Sequence, residues 1–149
     1  MQSTYVRQAN INDMDFLADL FDGYRQFYGQ PSNIPAAKSF IQQRFEHAQS
    51  VIFIAFSGET PVGFTQLYPS FSSVSLKKVF ILNDLFVQDS FRNLGIAKQL
   101  IDAAKDYASH IGACRLSLST AKDNLIAQRV YKESGWTYDD KYDVFHLAV

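Results

Sequence analysis

Apolar positions recur at two periods along the chain, and the switches between them lay out the expected elements. Tyr5–Ala9 alternates weakly and reads as a first strand. Phe16, Leu17, Leu20, Phe21 and Tyr24 then follow at helical spacing behind Asn12 or Asp13 as a cap. That pattern weakens through Tyr24-Arg25-Gln26-Phe27-Tyr28 and stops at Gly29-Gln30-Pro31. A second helix is expected after Pro35, with Phe40, Ile41 and Phe45 on one face. Val51–Phe56 and Val62–Tyr68 flank the turn Ser57-Gly58-Glu59-Thr60-Pro61 as a hairpin. Pro69–Ser75, rich in serine, reads as the loop of the next hairpin, and Lys78–Val87 as a long strand of β-branched and aromatic residues. From Gly95 to His110 the helical period returns, with Ile96, Leu100, Ile101, Ala104 and Tyr107 inward and Gly112 as the stop. Cys114–Ser119 reads as a strand, Asn124–Glu133 as a short helix ended by Ser134-Gly135, and the stretches near Trp136–Tyr138 and Tyr142–Val149 as two closing strands. Short turns between the central strands predict a mixed α/β sheet, not an all-parallel one.

Composition narrows the function classes. A length of 149 residues with 47% hydrophobic and 19% charged positions fits one globular domain over residues 1–149. A formal net charge of −1 with no lysine or arginine run gives no footprint for nucleic acid or an anionic membrane. The single cysteine excludes an internal disulfide, and Cys114, opening a core strand, reads as a buried, inert thiol. The opening residues lack a basic start followed by an apolar run, and no apolar stretch is long enough for a bilayer, so the cytoplasm is the expected location. His47, His110 and His146 form no metal-ligand spacing, and no metal is expected. Asp15, Asp19 and Asp22 share a helical face that reads as solvated.

The stretch Leu85 to Lys98 carries the candidate chemistry: a strand, a short polar turn, then a helix opening through Arg92 and Gly95. A helix start presents unpartnered N–H groups and a partial positive charge, and a glycine there lets an anion approach the backbone. The amides of Asn93 to Lys98 therefore suit a pyrophosphate. No Walker-type Gly-Lys-Ser/Thr follows, and the second and third glycines of a dinucleotide fingerprint are missing.

Arg92-Asn93-Leu94-Gly95-Ile96-Ala97 resembles the Arg/Gln-x-x-Gly-x-Gly/Ala signature of the GNAT superfamily of N-acetyltransferases. Asn83-Asp84-Leu85-Phe86-Val87 resembles the acidic-then-apolar fourth strand that precedes it, and Asn124 to Trp136 the family's Asn…Ala…Tyr…Gly-aromatic block. The similarity runs from about Tyr5 to the C-terminus. Within the superfamily the strand and turn resemble the small-amine branch, including diamine and amino-acid acetyltransferases.

The resemblance implies a mostly antiparallel sheet split between its fourth and fifth strands, with acetyl-coenzyme A as cosubstrate. Leu85, Phe86 and Val87 would offer main-chain groups to the pantetheine arm, and Arg92–Lys98 would hold the pyrophosphate. A backbone N–H in the Phe86–Val87 region would stabilise the oxyanion. Tyr131 falls at the family's acid, which protonates the departing thiolate; Asn124 and Ala127 would line the pantetheine arm, with Asn124 equally suited to cap its helix. Tyr24, Tyr28 and Asn83 would line the acceptor side.

The base is the open point. In the small-amine branch a glutamate often stands where this chain has Asn83, which cannot accept a proton. Asp84 is the neighbouring carboxylate and a catalytic candidate, but strand alternation points it to the opposite face. Water held by main-chain carbonyls or by Tyr24 and Tyr28, or deprotonation in solution, are the alternatives. The expected activity is direct transfer of acetyl from acetyl-coenzyme A to a primary amine, in a chain implied to form a homodimer. A protein N-terminus or lysine as acceptor, or a non-catalytic acyl-coenzyme A binding module, are the competing readings.

Overall fold

The computed structural model describes residues 3–149. It forms two compact units, one ending at Ser119 and one running from Thr120 to Val149.

The first unit is a five-stranded sheet in the order β1 (Thr4–Gln8), β2 (Val51–Ser57), β3 (Thr60–Ser72), β4 (Lys77–Val87), β5 (Leu116–Ser117). β1 to β4 pair antiparallel, and β5 joins β4 in parallel through Phe80–Leu116 and Ile81–Ser117. Helices α1 (Met14–Phe27) and α2 (Ile34–Glu46) pack together, and α3 (Ile96–His110) lies against β1 to β4. Strand alternation divides β2 between them. Ile52, Ile54 and Phe56 enter the core with Leu17, Leu20 and Ile41, whereas Phe53 meets Tyr107 of α3 edge-on at 5.7 Å between ring centroids. The α/β class and the mixed sheet agree with the pattern of the sequence.

Several local expectations are corrected. Pro69–Ser72 is strand, not loop, because β3 stays paired with β4 as far as Ser72–Lys77. Strand character around Cys114–Ser119 shrinks to Leu116–Ser117, and Cys114, whose N–H donates to the Lys78 carbonyl at 3.0 Å, is exposed beside the edge strand β5. Of the apolar residues at helical spacing in α1, Phe16 is exposed at its start while Leu17, Leu20 and Phe21 are buried. Asp22, expected in solvent, is buried: Gln26 Nε2, Ser32 Oγ and the Asn33 N–H all donate to its carboxylate at 2.7–2.8 Å. Burial pushes that carboxyl up, but the three hydrogen bonds outweigh it and hold Asp22 below its ordinary value.

In the second unit α4 (Leu125–Glu133) forms as expected, with Asn124 Oδ1 accepting from the Ala127 N–H at 3.2 Å as its cap. The two closing strands do not form, and residues 136–149 contain no strand. A strand exists only as part of a ladder, and within this unit no second strand stands beside that segment.

Candidate active site

One irregularity in the β3–β4 ladder organises the site. Gly63 through Gln66 pair with Val87 through Asp84, but Leu67 pairs with Leu82, so Asn83 is an extra residue. This β-bulge shifts the side-chain alternation of β4 by one position. Before the bulge, Phe80 points to α3, its ring 5.7 Å from that of Tyr107. After it, Phe86 points the other way, 6.4 Å from the rings of Tyr24 and Phe64. Asp84 crosses with Phe86. The expectation that Asn83 and Asp84 lie on opposite faces is therefore wrong: Asn83 Nδ2 donates to Asp84 Oδ1 at 3.1 Å.

Asp84 is the buried carboxyl group of this face, only 3% exposed. Gln66 Nε2 donates to its Oδ2 at 2.6 Å, and Tyr24 hydrogen-bonds to it as well as lying 3.4 Å from the Asn83 carbonyl. Burial raises its pKa, and the bonds from Gln66, Tyr24 and Asn83 offset only part of that rise. No ion pair forms on Asp84 among the described residues. Burial, followed by the nearby Asp84 charge, drives the Tyr24 phenol well above its ordinary value, so it stays protonated. Tyr24 also packs on Tyr28, 5.0 Å between centroids, which places the two aromatic acceptor-side residues together, Tyr28 being the exposed one.

Beyond the bulge, β4 runs on from Leu82 to Val87 without pairing to β5. The Gln88 N–H donates to the Val62 carbonyl at 2.8 Å. Hydrogen-bonded pairs alternate in an antiparallel ladder, so Phe86 turns its main chain to Phe64, while Leu85 and Val87 turn theirs to the open edge. Gly63 permits the close approach there: a Cβ would sit 2.7 Å from the Phe86 carbonyl oxygen.

The turn into α3 carries Asn93 at φ 63° and Gly95 at φ 78°, two successive approaches to the left-handed region separated by Leu94. Gly95 is the N-cap, and the first turn of α3 presents the N–H groups of Ile96, Ala97 and Lys98 without intrahelical acceptors. A Cβ on Gly95 would meet nothing within 4 Å, so it is the φ of 78° and not crowding that favours glycine here. The basic side chains are occupied. Arg92 donates from Nε to the Val87 carbonyl at 2.9 Å and pairs with Asp89, and Lys98 pairs with Asp102 at 2.9 Å. Main-chain amides, more than side-chain cations, are what this turn offers an anion.

In the second unit, Tyr131 lies on α4 with its ring centroid 5.9 Å from that of Trp136, and Asn124 Oδ1 is engaged in capping. No group of three or more histidine, cysteine, aspartate or glutamate side chains suited to a metal occurs among the described residues.

Residues 17–136 match the model of the Acetyltransferase (GNAT) family. The chain belongs to this family. It is 46% identical over 144 residues to an N-acetyltransferase of Bacillus subtilis, YhfO, with 97% of each chain covered. A probable acetyltransferase of known crystal structure superposes with a TM-score of 0.92 at 39% identity, again with 97% of each chain covered. An aminoglycoside N(6')-acetyltransferase of Salmonella typhimurium is 27% identical over 135 residues, 88% of this chain and 90% of that one. The protein is thus an acetyltransferase of GNAT fold. Gln66 and Tyr68, the two further polar residues of the Asp84 cluster, were not legible as site residues. Their only sequence signal was polarity inside an otherwise apolar strand.

Proposed function

We propose that this acetyltransferase transfers acetyl directly from acetyl-coenzyme A to a primary amine of a small molecule, with Asp84 as the group that receives the amine's proton. The observation that carries the reading is the bulge at Asn83, which sets a buried, partly desolvated carboxylate among Tyr24 and Asn83 on the aromatic side of β4.

The unpaired amides of Ile96–Lys98 behind Gly95 fit a pyrophosphate, and the β4 edge at Leu85 and the Val87 N–H, beyond the β5 pairing, fits an extended amide-bearing arm such as pantetheine. The ladder geometry favours the N–H of Val87 over that of Phe86 as oxyanion donor, since Phe86 faces β3. An amine attacks only as the free base. Asp84 is too buried to touch the acceptor broadly, so its proton arrives through the Tyr24 hydroxyl or a water held at the Asn83 carbonyl. The carboxylate takes the ammonium's proton and becomes a carboxylic acid, and the neutral amine nitrogen bonds the acetyl carbon as the C–S bond breaks. The leaving thiolate takes a proton from Tyr131, and the second proton shed by the acylated nitrogen restores the Tyr131 phenol by way of solvent. The role of Tyr131 rests on the Asn124–Trp136 resemblance. The aminoglycoside N(6')-acetyltransferase relative supports a polyamino small molecule as acceptor.

The test is release of free thiol from acetyl-coenzyme A across a panel of polyamines, amino acids, aminoglycosides and lysine peptides, with the product identified by mass spectrometry. Turnover on small amines supports the reading; turnover confined to peptides, or tight coenzyme A binding without turnover, overturns it. Tyr131→Phe is expected to lower kcat by about 10–100-fold at neutral pH, with acetyl-coenzyme A affinity by calorimetry within about twofold of wild type. Full activity across the pH range would remove Tyr131 as the acid.

A homodimer in the cytoplasm is proposed for the assembly. Tyr142, Val144, Phe145 and Leu147 are exposed in residues 136–149, an apolar stretch suited to pairing with a second copy. Light scattering is expected to give about twice the chain mass, and a monomer mass would reject the dimer.

A further inference from the structure

Gln66 is fully buried in β3, directly opposite Asp84 in the ladder. An amide in such a place carries a desolvation cost that an apolar side chain of the same size would avoid. Its Nε2 spends one hydrogen on Asp84 Oδ2 at 2.6 Å and lies 3.2 Å from the Tyr68 hydroxyl, which accepts the other. Its Oε1 has no hydrogen-bond partner. The side chain is thus satisfied on its donor end and unsatisfied on its acceptor end. Turning the amide over would set Oε1 against a carboxylate oxygen, acceptor facing acceptor.

The groups around the carboxylate are Tyr24 and Tyr28 from α1, Gln66 and Tyr68 from β3, Asn83 from β4, and Arg44 from α2, which faces Tyr68. Burial, then the Asp84 charge, pushes the Tyr68 phenol up to about 12, so it remains a neutral hydroxyl over the working range. Arg44 is the cation of this group, and it stacks over Phe40 without pairing to Asp84. Asp84 is therefore held by neutral hydrogen-bond donors, and the bond from Gln66, at 2.6 Å, is shorter than that from Asn83, at 3.1 Å.

We propose that Gln66 is a positioning residue of the reaction, its amide fixed by Tyr68 so that one N–H aims the Asp84 carboxylate and keeps it ionised. This rests on Asp84 as the proton acceptor, and it adds a residue that touches neither acceptor nor coenzyme. Without that N–H the carboxylate loses a charge-assisted bond that the buried surroundings cannot replace.

The experiment compares the wild-type protein with Gln66→Met and Gln66→Glu. Gln66→Glu keeps the shape and replaces the donor with a second carboxyl group. Two quantities are read: the acid limb of kcat/KM against pH, and the midpoint of the Asp84 carboxyl carbon in a 13C NMR titration, assigned with Asp84→Asn. Gln66→Met is expected to raise both by about one pH unit, leaving the alkaline plateau within about threefold of wild type. Gln66→Glu is expected to move both further the same way. A role in packing alone would lower activity equally at all pH values and leave the carbon midpoint in place, which overturns the proposal. If the carbon midpoint moves while the rate profile stays fixed, Gln66 positions Asp84 but Asp84 is not the proton acceptor. That result sinks the reading of Asp84 and leaves the contact standing.

Discussion

Asp84→Asn is expected to lower kcat/KM by about 10²–10⁴-fold at neutral pH, the range for loss of a positioned general base. The amide keeps the shape and can still accept the Gln66 N–H seen at 2.6 Å, but it cannot take a proton. The pH dependence fixes the sign. Burial, the dominant influence, raises the Asp84 pKa, so the active carboxylate forms only as pH climbs through that elevated value. Wild-type kcat/KM is therefore expected to rise along an acid limb above the ordinary carboxylate range, and Asp84→Asn to lose that limb. What remains is the slope set by the acceptor amine's own ionisation.

Stability separates this outcome from unfolding. A carboxyl whose folded pKa lies above its unfolded value favours the folded state while protonated, and that contribution fades as pH rises from the unfolded to the folded value. Once ionised, Asp84 is thus a burden on the fold, and Asp84→Asn is expected to melt no lower than wild type at neutral pH. A variant that melts normally yet keeps both its rate and its acid limb would remove Asp84 from the mechanism.

Gly95→Val is expected to raise the KM for acetyl-coenzyme A at least tenfold, with Kd from calorimetry rising in parallel. Two effects add. Gly95 sits at φ 78°, ψ 10°, where a β-branched residue is strained by about 1–2 kcal/mol, and relaxing that strain reorients the first turn of α3. The new side chain also adds bulk at the N-cap of α3, next in sequence to the unpaired amides of Ile96–Lys98. Arg92 and Lys98 are themselves engaged with Asp89 and Asp102. At saturating acetyl-coenzyme A, kcat is expected to recover to within about threefold, because in the proposed reading the turn would hold the diphosphate and not the reacting carbonyl. An unchanged KM would show that the pyrophosphate lies elsewhere.

Much of the protein was determined locally and could be read without coordinates. Helical spacing from Phe16 to Tyr24 and from Ile96 to Tyr107 placed α1 and α3, and Asn124 announced the cap of α4. The opening of α3 behind Gly95 was legible because backbone angles and helix ends are set by neighbours in sequence. Side chains whose state depends on distant partners were not. Asp22 looked solvated until Ser32 and Asn33 folded back over it. Tyr138, Tyr142 and Val144 have the residue types of strands, but a strand needs a partner that periodicity cannot supply.

The bulge at Asn83 is the sharpest instance. Period-two alternation is a property of one strand, whereas a bulge is a mismatch in count between two, visible only when Gln66 and Leu67 are set opposite Asp84 and Leu82. The sequence alone determined that a carboxylate stands next to Asn83. Tertiary pairing decided which face it occupies, and burial against Gln66 and Tyr24 decided its pKa, because both depend on what the second strand and the helix bring to it.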